Sequence, residues 1–467
     1  MKNIKYIILI FSIVFSGCDY GDLNDNPNEP TDVPEILLLT GTMLADIEMN
    51  VSHIQRISGM WSGQYRGETL LYESLYNYVI ASEESNSSWQ YLYNGIIAQN
   101  NIIRNAMPDD NLIQGITKVV EAHAIGTAAA NWGDIPFSQA VNVADYPDPV
   151  FDNQKEIFNQ LQTLLDEAIT NLSNTEGYTL TQDIFFRGNE GRWIEVAYTL
   201  KSRFYILTKE YDKAYTAALN GISSDSASMM FDPIVADDGS GIRGSSNVLW
   251  QFTSGTRAGY MSTNDTYLSN LLEDGSDISR NNAKTNEQAR SNYYYIDEDG
   301  SKIGVGAPEA PMPLVTYQEN LLNLAEASAR ANSFDEALGY LNDLRSFLAS
   351  GDAFVKVNED DILLYDDYEA GDFASGGMEN LDGIDNTRAL LREIIEERYI
   401  SGYGTFIPWN DARRLRKSDG DVAVPFPLNT TSVTQYPERF IISQNEINSN
   451  SNAPTGLSIF DKTEVNQ

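Results

Sequence analysis

The chain of 467 residues carries 67 acidic and 31 basic side chains, which gives a formal net charge of −36. Nucleic-acid binding needs clusters of Lys and Arg that neutralise phosphates, so this charge argues against nucleic acid as a partner and equally against an anionic lipid surface. Only two histidines, His53 and His123, and one cysteine, Cys18, are present. We therefore expect no metal site, no cofactor and no internal disulfide.

Residues 1–17 have the features of an export signal peptide. Lys2 and Lys5 form a basic start, and the apolar run that follows is too short to span a bilayer. The sequence Phe-Ser-Gly-Cys at 15–18 resembles the lipobox of bacterial lipoproteins, so Cys18 is predicted to be the lipidation site. Residues 18–34, rich in Asp, Asn, Gly and Pro, predict a tether with almost nothing to bury. The alternative is an ordinary secreted protein with an unmodified cysteine.

Apolar residues recur with helical spacing through much of the remaining chain. This pattern predicts helices over 34–57, 88–107, 111–130, 154–172, 193–208, 211–222 and 387–402. A tight turn at 131–136 is predicted to lead into a further helix-like segment that starts at Phe137.

Residues 311–345 contain the clearest helix pair, with a break at 332–333. Each helix places small and large residues on one face, namely Leu321, Leu324, Ala325 and Ser328 on the first and Ala337, Leu338, Leu341 and Leu344 on the second. This arrangement matches a tetratricopeptide-type hairpin, although any amphipathic helix pair is the alternative. The motif aromatic-x-x-Ala recurs at Phe137, Tyr211 and Phe334, which predicts several stacked hairpins.

Two segments, 61–78 and 223–311, lack helical periodicity and carry many aromatic residues among Gly, Ser, Asn and Asp. The second is expected to hold short strands and short helices. Aromatic faces stack on the C–H faces of sugar rings, while Gln and Arg bond hydroxyls, so these segments predict an exposed ligand-binding face. The candidate ligand-binding residues are Trp61, Gln64, Tyr65, Arg66, Trp250, Arg257, Tyr260, Tyr267 and Tyr293. The alternative is that the rings pack these loops onto the body. Residues from 425 onward also lack periodicity and are expected to wrap over the body.

Five stretches in this order resemble the SusD/RagB family of nutrient-binding outer-membrane lipoproteins of Bacteroidetes. They are Cys18 with 22–28, Trp-Gly-Asp-Ile-Pro-Phe-Ser-Gln-Ala at 132–140, Pro-Met-Pro-Leu at 311–314 running into Leu-Ala-Glu-Ala at 324–327, Glu-Glu-Arg-Tyr at 396–399 with 409–414, and Pro-x-Arg with Glu-x-Asn within 437–448. The resemblance implies a mainly α, SusD-like domain over 35–467, with tetratricopeptide-like helix hairpins on one side and a loop-rich region bearing short strands on the other. These motifs belong to the scaffold and imply no ligand residues.

The resemblance also implies a function. A lipid-anchored protein of the cell outer membrane, facing the exterior, would capture oligosaccharide or polysaccharide and deliver it to a SusC-like TonB-dependent transporter. No enzymatic activity is expected. Glycoside hydrolysis, peptide binding and a purely structural tetratricopeptide-type role stay as alternatives, because among 67 acidic residues some pair satisfies the roughly 5–10 Å spacing that hydrolases need.

Overall fold

The computed structural model describes residues 34–237, 242–294, 304–331, 333–354 and 356–467. The predicted signal peptide and Cys18 lie outside the described residues, as does the predicted tether apart from Pro34. Among the helices of the described ranges, none is both long enough and apolar enough to cross a membrane.

Capping side chains explain where several helices begin. Asp110, Asn153, Asn189, Thr316 and Asp385 each accept a hydrogen bond from a backbone N–H in the first turn of the following helix. Such caps satisfy donors that have no partner within the helix.

The helices of the first half are α1 (Leu38–Val51), α2 (His53–Trp61), α3 (Leu70–Tyr76), α4 (Asn86–Gln90), which continues through a π-helical turn (Tyr91–Ile97) into α5 (Ala98–Ala106), α6 (Asn111–Trp132), α7 (Gln154–Ser173), α8 (Glu190–Leu207) and α9 (Tyr211–Ala218). Those of the second half are α10 (Val248–Thr253), α11 (Tyr267–Leu272), α12 (Gln288–Tyr294), α13 (Tyr317–Arg330), α14 (Phe334–Ser350), α15 (Asn386–Ser401), α16 (Ile407–Leu415) and α17 (Gln444–Ser449).

The long helices pack in succession, as the apolar pattern predicts. Helix α6 packs on α7, α7 on α8, α8 on α9 and α9 on α13, which also packs on α14 and α15. In the pair formed by α13 and α14, Ala325, Ala337 and Leu341 are fully buried. The prediction of a mainly α fold built from tetratricopeptide-like hairpins is confirmed.

Two details of the helix prediction are wrong. The helix expected over 34–57 is split into α1 and α2, because Ser52 adopts a non-helical backbone with φ −88° and ψ −144°. Phe137 begins a series of turns rather than a helix. There the carboxylate of Asp152 accepts hydrogen bonds from the backbone N–H groups of Phe137 and Ser138, at 2.8 and 2.9 Å. Val141 then adopts φ +60°, outside the helical region, so a helix that starts at Phe137 cannot continue past this point.

Short strands form antiparallel pairs in the described parts of the loop-rich regions. The pairs are β1 (Arg66–Gly67) with β5 (Met261–Ser262), β2 (Met229–Phe231) with β7 (Met312–Val315), β3 (Val235–Asp237) with β4 (Ile242–Gly244), and β6 (Thr285–Asn286) with β8 (Leu364–Tyr365). The register of the first pair sets Arg66 opposite Ser262. This pair ties the first aromatic segment of the chain to the second.

An aromatic cluster closes the core beneath residues 425–467. The ring of Phe440 stacks on Trp61 with centroids 4.8 Å apart, and it also contacts the rings of Trp132 and Trp409. The backbone N–H of Phe440 donates to a carbonyl oxygen near the end of α6 at 3.0 Å. The prediction that this part of the chain wraps over the body is confirmed.

A buried ion network joins α13 to α15 and α16. The carboxylate of Glu326 is fully buried, accepts two hydrogen bonds from Arg414 at 2.8 and 2.7 Å, and also binds Arg398 and Arg330. Burial alone would raise the pKa of Glu326, but the three guanidinium groups outweigh it and hold that pKa well below its ordinary value. Asp411 binds Arg398 and Arg414 from the other side.

A second buried network surrounds Arg280, which contacts Glu287, Glu393 and Glu397. Burial raises the pKa of Glu393 well above its ordinary value, although Arg280 at 2.5 Å acts to lower it. The folded protein therefore disfavours the ionised form of Glu393, whereas it favours the ionised form of Glu326.

Candidate functional site

The pairing of β1 with β5 brings the two aromatic segments side by side. The backbone N–H of Glu68 donates to the carbonyl oxygen of Tyr260 at 3.0 Å. The hydroxyl of Ser262 donates to the carboxylate of Glu68, although the two residues are 194 positions apart in sequence. Residues 66–68 and 260–262 are thus neighbours, with Gly67 and Met261 buried and the residues on either side of them at least partly exposed.

Partly exposed rings and two cations surround this junction. Tyr260 is half-buried, with its ring edge-on to a buried tyrosine at 6.2 Å. Arg257 is exposed and its guanidinium lies 5.3 Å from the ring centre of Phe252. Trp250 is half-buried in α10, with its ring against Gly255. We call the surface formed by Arg66, Trp250, Arg257 and Tyr260 the loop face.

Arg66 stands between two acidic side chains. Its nearest guanidinium nitrogens lie 3.6 Å from the carboxylate of Glu68 and 3.8 Å from that of Asp265, which is beyond hydrogen-bonding distance. Its Nε is buried and has no hydrogen-bond partner among the described residues. Burial raises the pKa of the neighbouring Tyr76, which keeps that phenol neutral. The guanidinium group of Arg66 is therefore held near two carboxylates without a hydrogen bond to either.

Three predicted ligand residues lie in the core instead. Trp61 is 1% exposed, and its indole N–H donates to the carbonyl oxygen of Leu75 at 2.9 Å. Gln64 is fully buried and donates to the carbonyl oxygen of Tyr399 at 3.1 Å. Tyr65 is 1% exposed. The expectation that Trp61, Gln64 and Tyr65 lie on an exposed face is wrong.

The physical reason lies in the turn that follows α2. A Cβ atom at Gly59 would lie 2.2 Å from the ring of Tyr65, so the glycine makes room for this ring to fold inward. The ring then packs edge-on against Tyr403 at 5.3 Å. Arg66 and Glu68, which follow directly, keep partly exposed side chains. The segment thus presents its charged residues rather than its rings.

Tyr267 and Tyr293 are half-buried packing residues. The ring of Tyr267 contacts Tyr399 and Phe426 edge-on at 6.0 and 6.3 Å. The ring of Tyr293 packs against an adjacent tyrosine and against Phe354 at 5.9 Å. Burial raises the pKa of both phenols. The sequence overstated the availability of these two rings, because Gly- and Asn-rich surroundings do not reveal which way a ring points.

Sequence reasoning also missed exposed apolar residues beside the loop face. Leu70 and Leu71, at the start of α3, are 65% and 46% exposed. The turn before them is tight: a Cβ atom at Gly67 would lie 2.0 Å from the carbonyl oxygen of Tyr72, and Leu70 adopts φ +53°. Such a backbone is uncommon outside glycine, and strain of this kind clusters at binding sites. In the sequence, only the glycine of Gly-Glu-Thr-Leu at 67–70 indicated a tight turn before these leucines.

The groups of the loop face suit recognition of a polyhydroxylated ligand. Its aromatic rings, with the leucines beside them, cover apolar C–H surfaces, whereas its guanidinium and phenol groups donate to hydroxyl oxygens and the carboxylates beside Arg66 accept from hydroxyl groups. Across the described ranges, no group of three or more His, Cys, Asp or Glu side chains is arranged to hold a metal ion.

Comparison with known proteins extends these observations. Residues 27–415 match the family model SusD-like_2, whose description is starch-binding associating with outer membrane. No curated protein matches the chain. Similar solved structures include a SusD/RagB family protein from Bacteroides thetaiotaomicron, with 19% identity, a TM-score of 0.67 and coverage of 90% of this chain and 95% of that chain. A chitin-binding SusD homolog from Flavobacterium johnsoniae has 14% identity, a TM-score of 0.64 and coverage of 92% and 98%. A SusD homolog from Bacteroides uniformis has 14% identity, a TM-score of 0.65 and coverage of 93% and 100%. At these identities the structures establish the shared fold.

Proposed function

The chain belongs to the SusD-like family described as starch-binding and associated with the outer membrane, and on this basis we propose that it captures oligosaccharide or polysaccharide at the outer surface of the cell. The observation that carries the proposal is the β1–β5 pair, which unites two aromatic segments distant in sequence. The exposed side chains of these two segments do not pack in the helical core, and binding of a ligand would explain why they are brought together.

We assign the ligand site to the loop face. Trp250 and Tyr260 supply ring surfaces, while Arg66 and Arg257 donate to sugar hydroxyls. A neutral glycan fits better than an anionic one, because exposed carboxylates flank Arg66 and would repel uronate or sulfate groups. Contacts that are individually weak also suit a protein that must release its cargo.

Binding without hydrolysis is part of the proposal. A glycosidase needs one carboxylic acid that is kept protonated, usually by burial. The two carboxylates at the loop face do not meet this need, since the side chains of Glu68 and Asp265 are 37% and 85% exposed.

The binding test is calorimetric titration with malto- and chito-oligosaccharides. Trp250→Ala and Tyr260→Ala should each cost about 1–3 kcal/mol of binding free energy, by analogy with stacking of bases on aromatic side chains. Tyr198→Ala is the matched control, because Tyr198 is a half-buried tyrosine on α8 in the helical scaffold. Wild-type affinity in both loop-face variants would place the site elsewhere, and shortened sugars in the titration cell would favour the hydrolase alternative.

We further propose that the protein is anchored through a lipid on Cys18 and passes its cargo to a SusC-like TonB-dependent transporter. The lipobox-like sequence at 15–18 and the family description support this extension. Gentle solubilisation of outer membranes should co-purify the protein with a large β-barrel. Recovery of the protein alone, under conditions that keep other lipoprotein–barrel complexes intact, would contradict the transporter step.

A further inference from the structure

A second cleft lies beside the π-helical turn Tyr91–Ile97 and has a volume of about 450 Å³. Its walls come from three separate parts of the chain: residues 86–94, residues 136–149 and α17 with its flanks. The residues that define the loop face do not line it. π-Helical turns are rare and are frequently found at functional sites, so this cleft is a candidate ligand-binding site.

One wall of the cleft is rich in carboxamides. The Asn86 side-chain oxygen accepts from the Ser443 hydroxyl at 2.7 Å and from the Asn445 backbone N–H at 3.2 Å, and its NH₂ group has no hydrogen-bond partner within the described part of the chain. Gln90, Asn94 and Asn445 are exposed, and their side chains have no hydrogen-bond partner among the described residues. Each carboxamide can donate and accept at once without carrying charge.

The facing wall is apolar and strained. It contains Val141, Val143, Pro147 and Pro149, and the two valines are 37% and 72% exposed. Val141 adopts φ +60°, which is an outlier for a β-branched residue. Strain of this kind persists where the surroundings enforce it, often at ligand sites.

The charge of the cleft is one-sided. Among its lining residues there is no Lys or Arg, and the single charged side chain is that of Glu446, whose Oε1 accepts from Asn450 at 2.6 Å. Burial raises the pKa of Glu446, with nearby Asp148 adding to the effect. An anionic ligand would therefore find no cationic side chain in the lining to balance its charge, which favours a neutral ligand.

We propose that this cleft, the amide cleft, binds a neutral sugar unit that carries an acetamido group. The acetamido group joins a methyl to an amide, and the cleft offers the complement of both: exposed valines for the methyl, and free carboxamides for the N–H and C=O. A sugar with hydroxyls alone has no methyl group to place against the valine wall and no amide to pair with the carboxamides. The inference goes beyond the proposed function, because it depends on the lining of the amide cleft and not on the loop face.

The experiment uses N,N′-diacetylchitobiose and cellobiose as probes, with saturation-transfer NMR and titration of the purified protein. All measurements are made in the Trp250→Ala background, so that the loop face contributes least. Diacetylchitobiose should bind, with the strongest saturation at its acetamido methyls, and cellobiose should bind at least ten-fold more weakly. Asn94→Leu combined with Asn445→Leu, and separately Val143→Asp, should each weaken binding at least ten-fold.

Asn159→Leu is the matched control, since Asn159 is an exposed carboxamide on α7 outside the cleft. It should leave binding unchanged. Equal binding of the two disaccharides, saturation confined to ring protons, or wild-type binding by the cleft variants would overturn the inference. Polysaccharide binding that is lost with Trp250→Ala would still support the proposed function in that case. Conversely, disaccharide binding at the cleft without any loop-face binding would overturn the assignment of the ligand site to the loop face and leave the inference about the cleft standing.

Discussion

Replacing Glu326 by glutamine should be among the most destabilising isosteric changes in this protein. The substitution keeps the shape of the side chain but removes the charge that Arg330, Arg398 and Arg414 share. Breaking a buried ion pair by removing one partner typically costs about 3–5 kcal/mol, because the remaining charge is left uncompensated. Asp411 still binds two of the three guanidinium groups, so we expect about 3 kcal/mol, the lower end of that range.

Urea unfolding at pH 7, followed by tryptophan fluorescence and circular dichroism, measures this loss. Glu359→Gln is the control, because Glu359 is an exposed glutamate outside the network. A loss below about 1 kcal/mol, or one equal to that of the control, would refute the reasoning, since it would show that the guanidinium groups do not need this carboxylate.

The same substitution has a pH signature. The folded-state pKa of Glu326 lies well below its ordinary value of 4.5. Its contribution to stability is therefore fully present above the pKa of the unfolded chain and is lost as pH falls below about 4.5 toward the folded pKa. We expect acidification to cost the wild type more stability than Glu326→Gln. Parallel curves for the two proteins would contradict the assignment.

Three further predictions concern other parts of the molecule. Glu393→Gln should flatten the dependence of stability on pH above about 4.5, because a group whose folded pKa is raised stabilises the fold below its unfolded pKa and loses that stabilisation as pH rises through the folded pKa; urea unfolding at increasing pH that keeps the wild-type slope would refute it. Leu341→Ala should cost about 2–5 kcal/mol, since the side chain is fully buried between packed helices, and a change below about 0.5 kcal/mol in urea unfolding would contradict this packing. Cys18→Ala should release the protein from the outer membrane on cell fractionation, whereas unchanged retention would rule out lipidation as the anchor.

The scaffold was predictable because its information is local. Apolar spacing indicates α13 and α14 to within a few residues, since Leu341 and Ala337 must share a buried face. The break at Ser52 and the turns after Phe137 were not predictable in this way. The latter depend on Asp152, whose side chain holds two backbone N–H groups from a distant position in the sequence, and on the positive φ of Val141.

The candidate site was only half predictable, for the same reason. An aromatic side chain in a Gly-rich segment can be buried in the core or exposed at the surface. Which of the two occurs depends on residues that are distant in sequence. Tyr65 turns inward because Gly59 leaves space and Tyr403 receives the ring. Tyr260 remains near the surface because the β1–β5 pair holds its backbone there. No local pattern distinguishes these two tyrosines.

The contact between Trp61 and Phe440 joins an early and a late part of the chain. Contacts between residues so far apart in sequence form late and slow the overall folding reaction. A chain that lacks residues from 425 onward leaves Trp61, Trp132 and Trp409 without the ring that covers them. We expect such a truncated chain to stay loosely packed and open to protease. If residues 1–17 act as the predicted export signal peptide, the interior would be closed only after nearly the whole chain has crossed the membrane.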